Sequence, residues 1–104
     1  MNKRDIILVA LPFTDLTETK VRPALVLADL EEDLLCCFIS SNIQNKSKND
    51  ILVPKDQNNH LKTDSLIKCA KLFTIHSDLI DRRIGSLDKT TYSQVIKRLM
   101  NLVS

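Results

Sequence analysis

The 104-residue sequence has a single glycine, no tryptophan, one tyrosine and three phenylalanines. A glycine-rich phosphate-binding loop needs several glycines close together, and a single glycine cannot form one. Four aromatic residues are also too few for the aromatic stacking surfaces of the commonest RNA-binding modules. The composition therefore argues against both of these ways of binding a nucleotide.

Long apolar runs are missing as well. No run approaches the roughly 18 residues that a membrane-spanning helix requires. The basic start at residues 2–4 is followed by Asp5 and by only six apolar residues, which is too short for a typical secretory signal. We therefore expect one cytoplasmic domain, residues 1–104, with no membrane partner. It is long enough to bury a core without disulfides or a structural metal.

The three cysteines do not form a metal-binding or disulfide pattern. Cys36, Cys37 and Cys69 are odd in number, lack Cys-x-x-Cys spacing and fall within expected strands, so we expect small buried apolar residues. His60 and His76 are distant from each other and from the cysteines in the sequence. We therefore expect neither a metal nor another cofactor.

The net charge of +2 is unevenly distributed along the chain. Residues 1–40 have a balance of −3, residues 41–71 of +3 and residues 72–104 of +2. A mildly basic patch around the middle loops would attract a polyanion. Lysine-rich loops are more often simply solvated, so this support for a polyanion is weak.

Short apolar runs, each followed by turn-forming residues, predict a mainly β protein. Strands are expected at residues 6–11, 22–28, 34–39 and 51–53. Residues 65–75 are expected to form one long strand, or two with a bend, because the alternation changes phase near residues 71–73. The connections are a loop at 12–20, an acidic turn at 29–33, a polar loop at 43–49 and an exposed segment at 55–64.

The clearest helix is expected at the C-terminal end. Asp88 is a plausible N-cap, and one apolar face follows it; this face comprises Tyr92, Val95, Ile96, Leu99, Leu102 and Val103. Ser77 is expected to cap one helical turn through Arg82, and Gly85 to adopt a left-handed or bulged conformation. Five or six strands and one helix predict a partly open barrel that the helix closes at one end.

Arg22 is the most informative candidate for a functional residue. It is expected to begin the second strand at a loop–strand junction, fixed by the strand and accessible to a ligand. An always-charged group with five donors suits a phosphate at such a place. A surface arginine that pairs with Asp15 or Glu18 is an equally good interpretation of this segment alone.

A series of motifs at residues 4–9, 20–27, 38–43, 61–73, 84–87 and 89–102 resembles, in this order, the PemK/MazF family, the toxin half of bacterial toxin–antitoxin pairs. The family's Gly-Asp-Ile strand and its Lys-x-Arg-Pro strand resemble residues 4–9 (RDIILV) and 20–27 (KVRPALVL). Its apolar block ending in Ile-Thr-Ser resembles residues 38–43, and a leucine and serine before a hydrophobic strand resemble residues 61–73. The closing Ile-Gly-x-Leu and helix resemble residues 84–87 and 89–102, so the similarity covers nearly the whole chain.

The resemblance implies an SH3-like, partly open barrel that forms a homodimer and is inhibited by a cognate antitoxin. It also implies a metal-independent endoribonuclease that cuts single-stranded mRNA, with the 2′-hydroxyl as nucleophile and a cyclic phosphate and a 5′-hydroxyl as products. The site residues that it implies are Arg22 and Ser40. The sequence departs from the family pattern at three places: Arg4 replaces a glycine, Ser40 replaces a threonine, and Lys68 and Ala70 replace an Arg-x-Asp pair used by some members.

The chemistry would divide among several side chains. Arg22 suits charge stabilisation of the phosphorane, and it is a poor general base because guanidinium deprotonates only above about pH 12. Thr14, Asp15 or a water would accept the 2′ proton. Each of these roles has a simpler alternative. Serines at a strand end often only cap a turn, and the lysines in the loops often only keep the surface solvated. The candidate RNA-binding residues are Thr14, Lys20, Ser41, Asn42, Gln44, Lys46 and Lys68.

Two other functions stay open. A degenerate member of the same fold would bind an antitoxin-like peptide or a nucleic acid, DNA included, without cutting. A plain SH3-like interaction module would need an aromatic groove for proline-rich ligands. With no tryptophan, and its one tyrosine on the expected helix, the chain fits this last function least.

Overall fold

The computed structural model describes residues 1–12 and 19–104. Within these residues the chain forms six β-strands and one α-helix. The elements are β1 (Asp5–Pro12), β2 (Thr19–Asp29), β3 (Asp33–Ser40), β4 (Asp50–Val53), β5 (Ser65–His76), β6 (Ile80–Ser86) and α1 (Lys89–Val103). Short 3₁₀ turns lie at Ile43–Asn45 and Ser77–Leu79.

The strands form one sheet in the order β4-β5-β3-β2-β1-β6, with every neighbouring pair antiparallel. The sheet does not close into a complete barrel, because β4 and β6 stand at its two edges. This confirms the expectation of a mainly β fold with a C-terminal helix and an open barrel. The part of the chain described contains no helix long and apolar enough to span a membrane.

The segment that follows β4 bridges the two edges of the sheet. The backbone N–H of Ser86 on β6 donates to the carbonyl of Asn58 at 2.9 Å, and His60 Nδ1 donates to the carbonyl of Ile84. Residues 55–64 were expected to be an exposed connection. Most of them are exposed, but Asn59 and Leu61 are buried.

The core consists of two clusters, one on each face of the sheet. The cluster beside α1 includes Leu25, Cys37 and Val95, whereas the other includes Val26 and Cys36. Neighbouring residues divide between the clusters because side chains alternate along a strand. All three cysteines are buried and free, as predicted.

β5 changes its register against β3 where the sequence predicts a bend. Leu72 pairs with Cys37, but Lys68 pairs with the next residue, Phe38. Three extra residues on β5 are accommodated between these pairs, so the strand bends and the alternation changes phase. Of the two alternatives expected for residues 65–75, the structure has the single long strand with a bend.

α1 begins as predicted, with the Asp88 side chain accepting a hydrogen bond from the Thr91 N–H. Val95 is buried, and Tyr92, Ile96 and Leu99 pack partly against the core. The prediction was wrong for the last turn. Leu102 and Val103 are 41% and 81% exposed, because this turn extends beyond the residues of the core cluster.

Two predicted boundaries were also wrong. Pro12, Thr19 and Lys20 were expected in a loop, but they belong to β1 and β2, because Thr19 pairs with Pro12 and Lys20 with Leu11. Ser77 does not cap a helical turn that reaches Arg82. Instead, the His76 side chain accepts from the Asp78 N–H, the 3₁₀ turn ends at Leu79, and the chain continues as β6.

Gly85 does not have the left-handed conformation expected of it. It lies beside an irregularity between β1 and β6: Ile6 pairs with Gly85, but Ile7 pairs with Arg83. The bulge expected here is therefore present next to Gly85, which itself has ordinary backbone angles.

Candidate active site

The predicted catalytic residues lie on the face of the sheet that is turned away from α1. Ile39, Ile67 and Ile51 pair across β3, β5 and β4 and belong to the cluster beside α1. Positions one residue away point to the opposite face because side chains alternate. We call this opposite face, at the end where β3 finishes, the site face; it carries Lys20, Arg22, Phe38, Ser40, Asp50 and Lys68.

Arg22 is exposed and lies within β2, directly opposite Val9 of β1. It was expected to be the first residue of its strand, at a loop–strand junction, and that was wrong, since β2 begins three residues earlier at Thr19. The backbone of Arg22 is therefore held by strand pairing, so the guanidinium extends from a rigid element. This suits a group that must be preorganised towards a phosphate.

Arg22 and Ser40 lie on adjacent strands, just beyond the last residue pair of the β2–β3 ladder. The ladder between β2 and β3 ends at the Ala24–Phe38 pair. The same register extended by two residues puts Arg22 opposite Ser40, and both then lie on the same face as Ala24 and Phe38. Paired residues of an antiparallel ladder have Cβ atoms about 5 Å apart, so a register that continues to this end of β3 allows both side chains to contact one phosphate.

Ser40 combines this position with a turn-capping role. Its Oγ accepts a hydrogen bond from the Asn42 N–H at 3.1 Å. A hydroxyl that accepts one bond still has its own proton to donate. The turn-capping alternative considered from the sequence is therefore observed, and it leaves Ser40 able to donate to a substrate.

Lys68, a candidate phosphate contact, forms an ion pair with Asp50. Its Nζ lies 2.6 Å from Asp50 Oδ2, and the side chains of Lys68 and Asp50 are 15% and 3% exposed. Burial by itself would raise the pKa of Asp50, but hydrogen bonds from Lys68 and from the Ser47 N–H outweigh it, so this pKa lies below its ordinary value. An ammonium has three donors, so Lys68 can hold Asp50 and still contact an anion.

Sequence reasoning missed Asp50. Its sequence context, an aspartate before a short apolar strand, resembles an ordinary turn residue. Its role depends on the pairing of β4 with β5, which puts Asp50 directly opposite Lys68. A register of this kind cannot be read from one sequence.

The other candidate RNA-binding residues lie close to the end of β3, or on β2. Ser41, Asn42, Gln44 and Lys46 are exposed in the segment after Ser40. Ser41 also lines a shallow hollow with Ile43, Lys55, Thr63 and Asp64. Lys20 is exposed on β2, two residues before Arg22 and on the same face. Thr14, Asp15 and Glu18 lie outside the described residues.

An aromatic pair, which the sequence did not reveal, lies on the site face. The rings of Phe38 and Phe73 are stacked with centroids 4.3 Å apart. The two residues come from β3 and β5, and Phe38 follows the same alternation as Ser40. The pair therefore forms an apolar border beside the polar residues.

The two histidines form hydrogen bonds elsewhere in the fold, and the three cysteines are buried. His60 donates to β6 through the Ile84 carbonyl, and His76 caps the short turn after β5. Burial raises the pKa of the Cys36 thiol to about 11, and it raises the pKa values of Cys37 and Cys69 too. Across residues 1–12 and 19–104 no group of three His, Cys, Asp or Glu side chains could hold a metal ion.

Comparisons with known proteins agree with this fold. The family model for the PemK-like, MazF-like toxins of type II toxin–antitoxin systems matches residues 2–103. The open antiparallel sheet with its C-terminal helix is thus the fold of a toxin. The chain belongs to this PemK/MazF toxin family. A search of curated proteins finds no match.

Solved structures show the same fold at low sequence identity. The toxin MazF-mt6 of Mycobacterium tuberculosis has 22% identity and a TM-score of 0.75, with 96% of each chain covered. A MazE–MazF structure from Deinococcus radiodurans has 14% identity and a TM-score of 0.76, with 100% of this chain and 95% of that chain covered. A mycobacterial endoribonuclease in complex with its cognate antitoxin has 8% identity and a TM-score of 0.78, with 99% of this chain and 94% of that chain covered.

Proposed function

We propose that this toxin is a metal-independent endoribonuclease that cleaves single-stranded mRNA in the cytoplasm and is inhibited by a cognate antitoxin. Family membership supports the class of activity. The observation that supports the residue assignment is the position of Arg22 and Ser40, on adjacent strands and on one face of the sheet. Similarity to the antitoxin-bound mycobacterial endoribonuclease and to the MazE–MazF structure supports an antitoxin as partner.

The proposed reaction is a transfer within the RNA strand. The 2′-oxygen attacks the adjacent phosphorus, the bond from phosphorus to the 5′-oxygen breaks, and the products are a 2′,3′-cyclic phosphate and a 5′-hydroxyl. The 2′ proton passes to a base, and the leaving 5′-oxygen takes a proton from Arg22 or from water. Arg22 donates two hydrogen bonds to the phosphorane oxygens, where negative charge develops.

Neighbouring groups complete the proposed site. Ser40 donates its hydroxyl proton to a non-bridging oxygen, and Lys20 and Lys68 add positive charge on the same face. Asp50 is a poor candidate for the base because its carboxylate is 3% exposed and already accepts two hydrogen bonds. The base is therefore sought among Thr14, Asp15 and a bound water.

The decisive experiment compares Arg22→Ala with the wild-type chain on a single-stranded oligoribonucleotide. We expect cleavage to slow by at least about 10²–10³-fold, the usual loss for one preorganised transition-state donor. Arg22→Lys should recover little, because an ammonium cannot reproduce the two-pronged contact. Arg82→Ala, which removes an exposed arginine of β6, is the matched control and should cleave normally.

The same assay tests the nucleophile, the metal and Ser40. Cleavage should persist with a chelator and should stop when the scissile nucleotide lacks its 2′-hydroxyl. Ser40→Ala should cost less than Arg22→Ala, since Ser41 or water can replace the donor, and Ser40→Thr should keep or raise the rate. An Arg22→Ala protein that melts like wild type and cuts RNA at a similar rate would contradict the site assignment.

A non-cleaving binder of the same fold is the second candidate. It is favoured by the structural roles that Ser40 and Lys68 already have, the one in the turn to Asn42 and the other in the pair with Asp50. This alternative predicts that the wild-type chain binds single-stranded RNA without cutting it and that its expression alone does not arrest growth. RNA integrity after expression distinguishes the two functions.

A further inference from the structure

The segment of residues 41–48 follows Ser40 and carries several of the candidate RNA-binding side chains. All eight of its residues are exposed, and the 3₁₀ turn within it contributes no residue to the core. Hydrophobic packing therefore does not hold the segment in place. Its conformation must depend on polar contacts, and Ser40, Arg98 and Asp50 supply such contacts from outside the segment.

The first two contacts lie near the two ends of the segment. The Asn42 N–H donates to Ser40 Oγ, which links the segment directly to the proposed catalytic serine. Towards the other end, the guanidinium of Arg98 on α1 donates to the carbonyl of Lys48. Both contacts involve exposed groups, so each alone is weak in water.

The third contact is buried. Asp50 Oδ2 accepts from the Ser47 N–H at 2.9 Å and from Lys68 Nζ at 2.6 Å. The Asp50 N–H in turn donates to the Ser47 carbonyl at 3.1 Å. One side chain thus joins the end of the exposed segment to β4 and β5.

A buried ion pair at this position needs an explanation beyond stability. Well-packed apolar residues often stabilise a fold as much as a buried ion pair does, or more, because two charges lose their hydration. The Asp50–Lys68 pair is retained at the border of the site face, two residues along β5 from the partner of Ser40, Leu66. This location indicates a role in the geometry of the site.

We propose that Asp50 is a positioning residue that fixes residues 43–48, so that Gln44 and Lys46 meet the RNA strand beside Arg22 and Ser40. Asp50 does not contact the reacting atoms. It acts by limiting the conformations of the segment, which lowers the entropy lost when RNA binds. The role in RNA binding rests on the proposed function, whereas the fixing of the segment does not.

The test compares Asp50→Asn with wild type by amide hydrogen exchange without RNA and by cleavage kinetics. We expect exchange in residues 43–48 to accelerate by about tenfold or more, with strand amides little changed. The KM for a single-stranded oligoribonucleotide should rise by about tenfold while kcat changes by less than about threefold, because the chemical groups remain in place. Asp81→Asn, an exposed carboxylate on β6, is the control and should leave exchange and kinetics unchanged.

Three results would overturn the proposal: unchanged exchange in residues 43–48, equal acceleration along the whole chain, or a fall in kcat at constant KM. If Asp50→Asn does not fold, the double variant Asp50→Leu/Lys68→Met decides by hydrogen exchange, because it removes the acceptor of the Ser47 N–H and leaves no unpaired buried charge. Exchange should accelerate in residues 43–48, and unchanged exchange there would refute the proposal.

Affinity for the oligonucleotide with a 2′-deoxy group at the cleavage position is measured in parallel. A wild-type chain that binds this RNA but cleaves no RNA refutes the proposed function. The exchange and affinity data then decide the role of Asp50 independently of cleavage.

Discussion

Gly85 is required by lack of space rather than by an unusual backbone conformation. A Cβ atom at this position would lie 2.3 Å from the Asn58 carbonyl oxygen and 2.7 Å from the carbonyl carbon and oxygen of Asn59. These are backbone atoms, so they cannot move aside by a change of rotamer. The segment after β4 would have to shift away from β6.

We therefore expect Gly85→Ala to lower the free energy of unfolding by about 2 kcal/mol or more, in the upper range of overpacking substitutions. Thermal or urea denaturation measures the change. Ser86→Ala, at the next position of β6, is the control and should be nearly neutral. A Gly85→Ala protein as stable as wild type would show that residues 58–59 do not pack against β6 in solution.

Arg4 illustrates a compromise at a position where the resembled family has glycine. Its φ is 78°, in the left-handed region that favours glycine. Its Nε donates to the Leu87 carbonyl at 2.9 Å, and its backbone bonds to both Val26 and Leu87. A favourable side-chain hydrogen bond thus offsets an unfavourable backbone conformation.

This compromise predicts an order of stability for two substitutions. Arg4→Ala keeps the strained φ and loses the hydrogen bond, whereas Arg4→Gly loses the hydrogen bond and relieves the strain. Arg4→Ala should be the less stable of the two by about 1 kcal/mol. Equal stabilities in urea denaturation would show that φ at this position does not determine the cost.

At the scale of the elements, the stability of α1 depends on the cap of its first turn. The Asp88 side chain accepts from the Thr91 N–H at 2.9 Å. Hydrogen bonds from the Thr91 side chain and backbone hold the pKa of this carboxyl below its ordinary value. The cap is therefore present at neutral pH and is lost as pH falls through this lowered pKa.

We expect Asp88→Ala to cost about 1 kcal/mol, the usual value of an N-cap. For a domain of about this size, that loss corresponds to a Tm about 4–8 °C lower. Asp88→Ser, which keeps a capping oxygen, should recover most of the loss. If the alanine and serine variants melt at the same temperature, the cap does not contribute to stability.

The elements differ in how far they could be predicted from the sequence. The helix and its cap are local signals, and the bend in β5 is visible because the alternation changes phase. The start of β2 was misplaced because Thr19 and Lys20 are in a strand through pairing with Pro12 and Leu11, not through any apolar pattern of their own.

The candidate site, too, could be predicted from the sequence only in part. Arg22 and Ser40 were found by resemblance, and their place on one face of the sheet follows from extending the β2–β3 register by two residues. The Asp50–Lys68 pair joins residues 18 apart in the chain, and neither residue has a sequence context that indicates burial. Pairings of this kind require the fold to be known first.

At the scale of the whole molecule, several apolar side chains remain exposed on the described surface. Val21 and Leu72 are 46% and 45% exposed, and Met100 and Val103 at the end of α1 are 61% and 81% exposed. Apolar surface of this kind is commonly covered in a symmetric dimer. Together with the family resemblance, it supports a homodimer.

Sedimentation at micromolar concentration should therefore give about twice the chain mass of 11.8 kDa. Replacing Met100 and Val103 together by serine tests whether the end of α1 takes part. A shift towards the monomer in that variant would locate the interface there. A wild-type mass near 11.8 kDa at this concentration would exclude the homodimer.

The contact of residues 58 and 60 with β6 also has a consequence for how the protein behaves when concentrated. An exposed strand edge is a template on which other chains can add by backbone pairing. On β6, the N–H of Ser86 and the carbonyl of Ile84 are already bonded to Asn58 and His60. The protein's own connecting segment thus blocks this end of the edge against intermolecular strand addition, the first step of ordered aggregation.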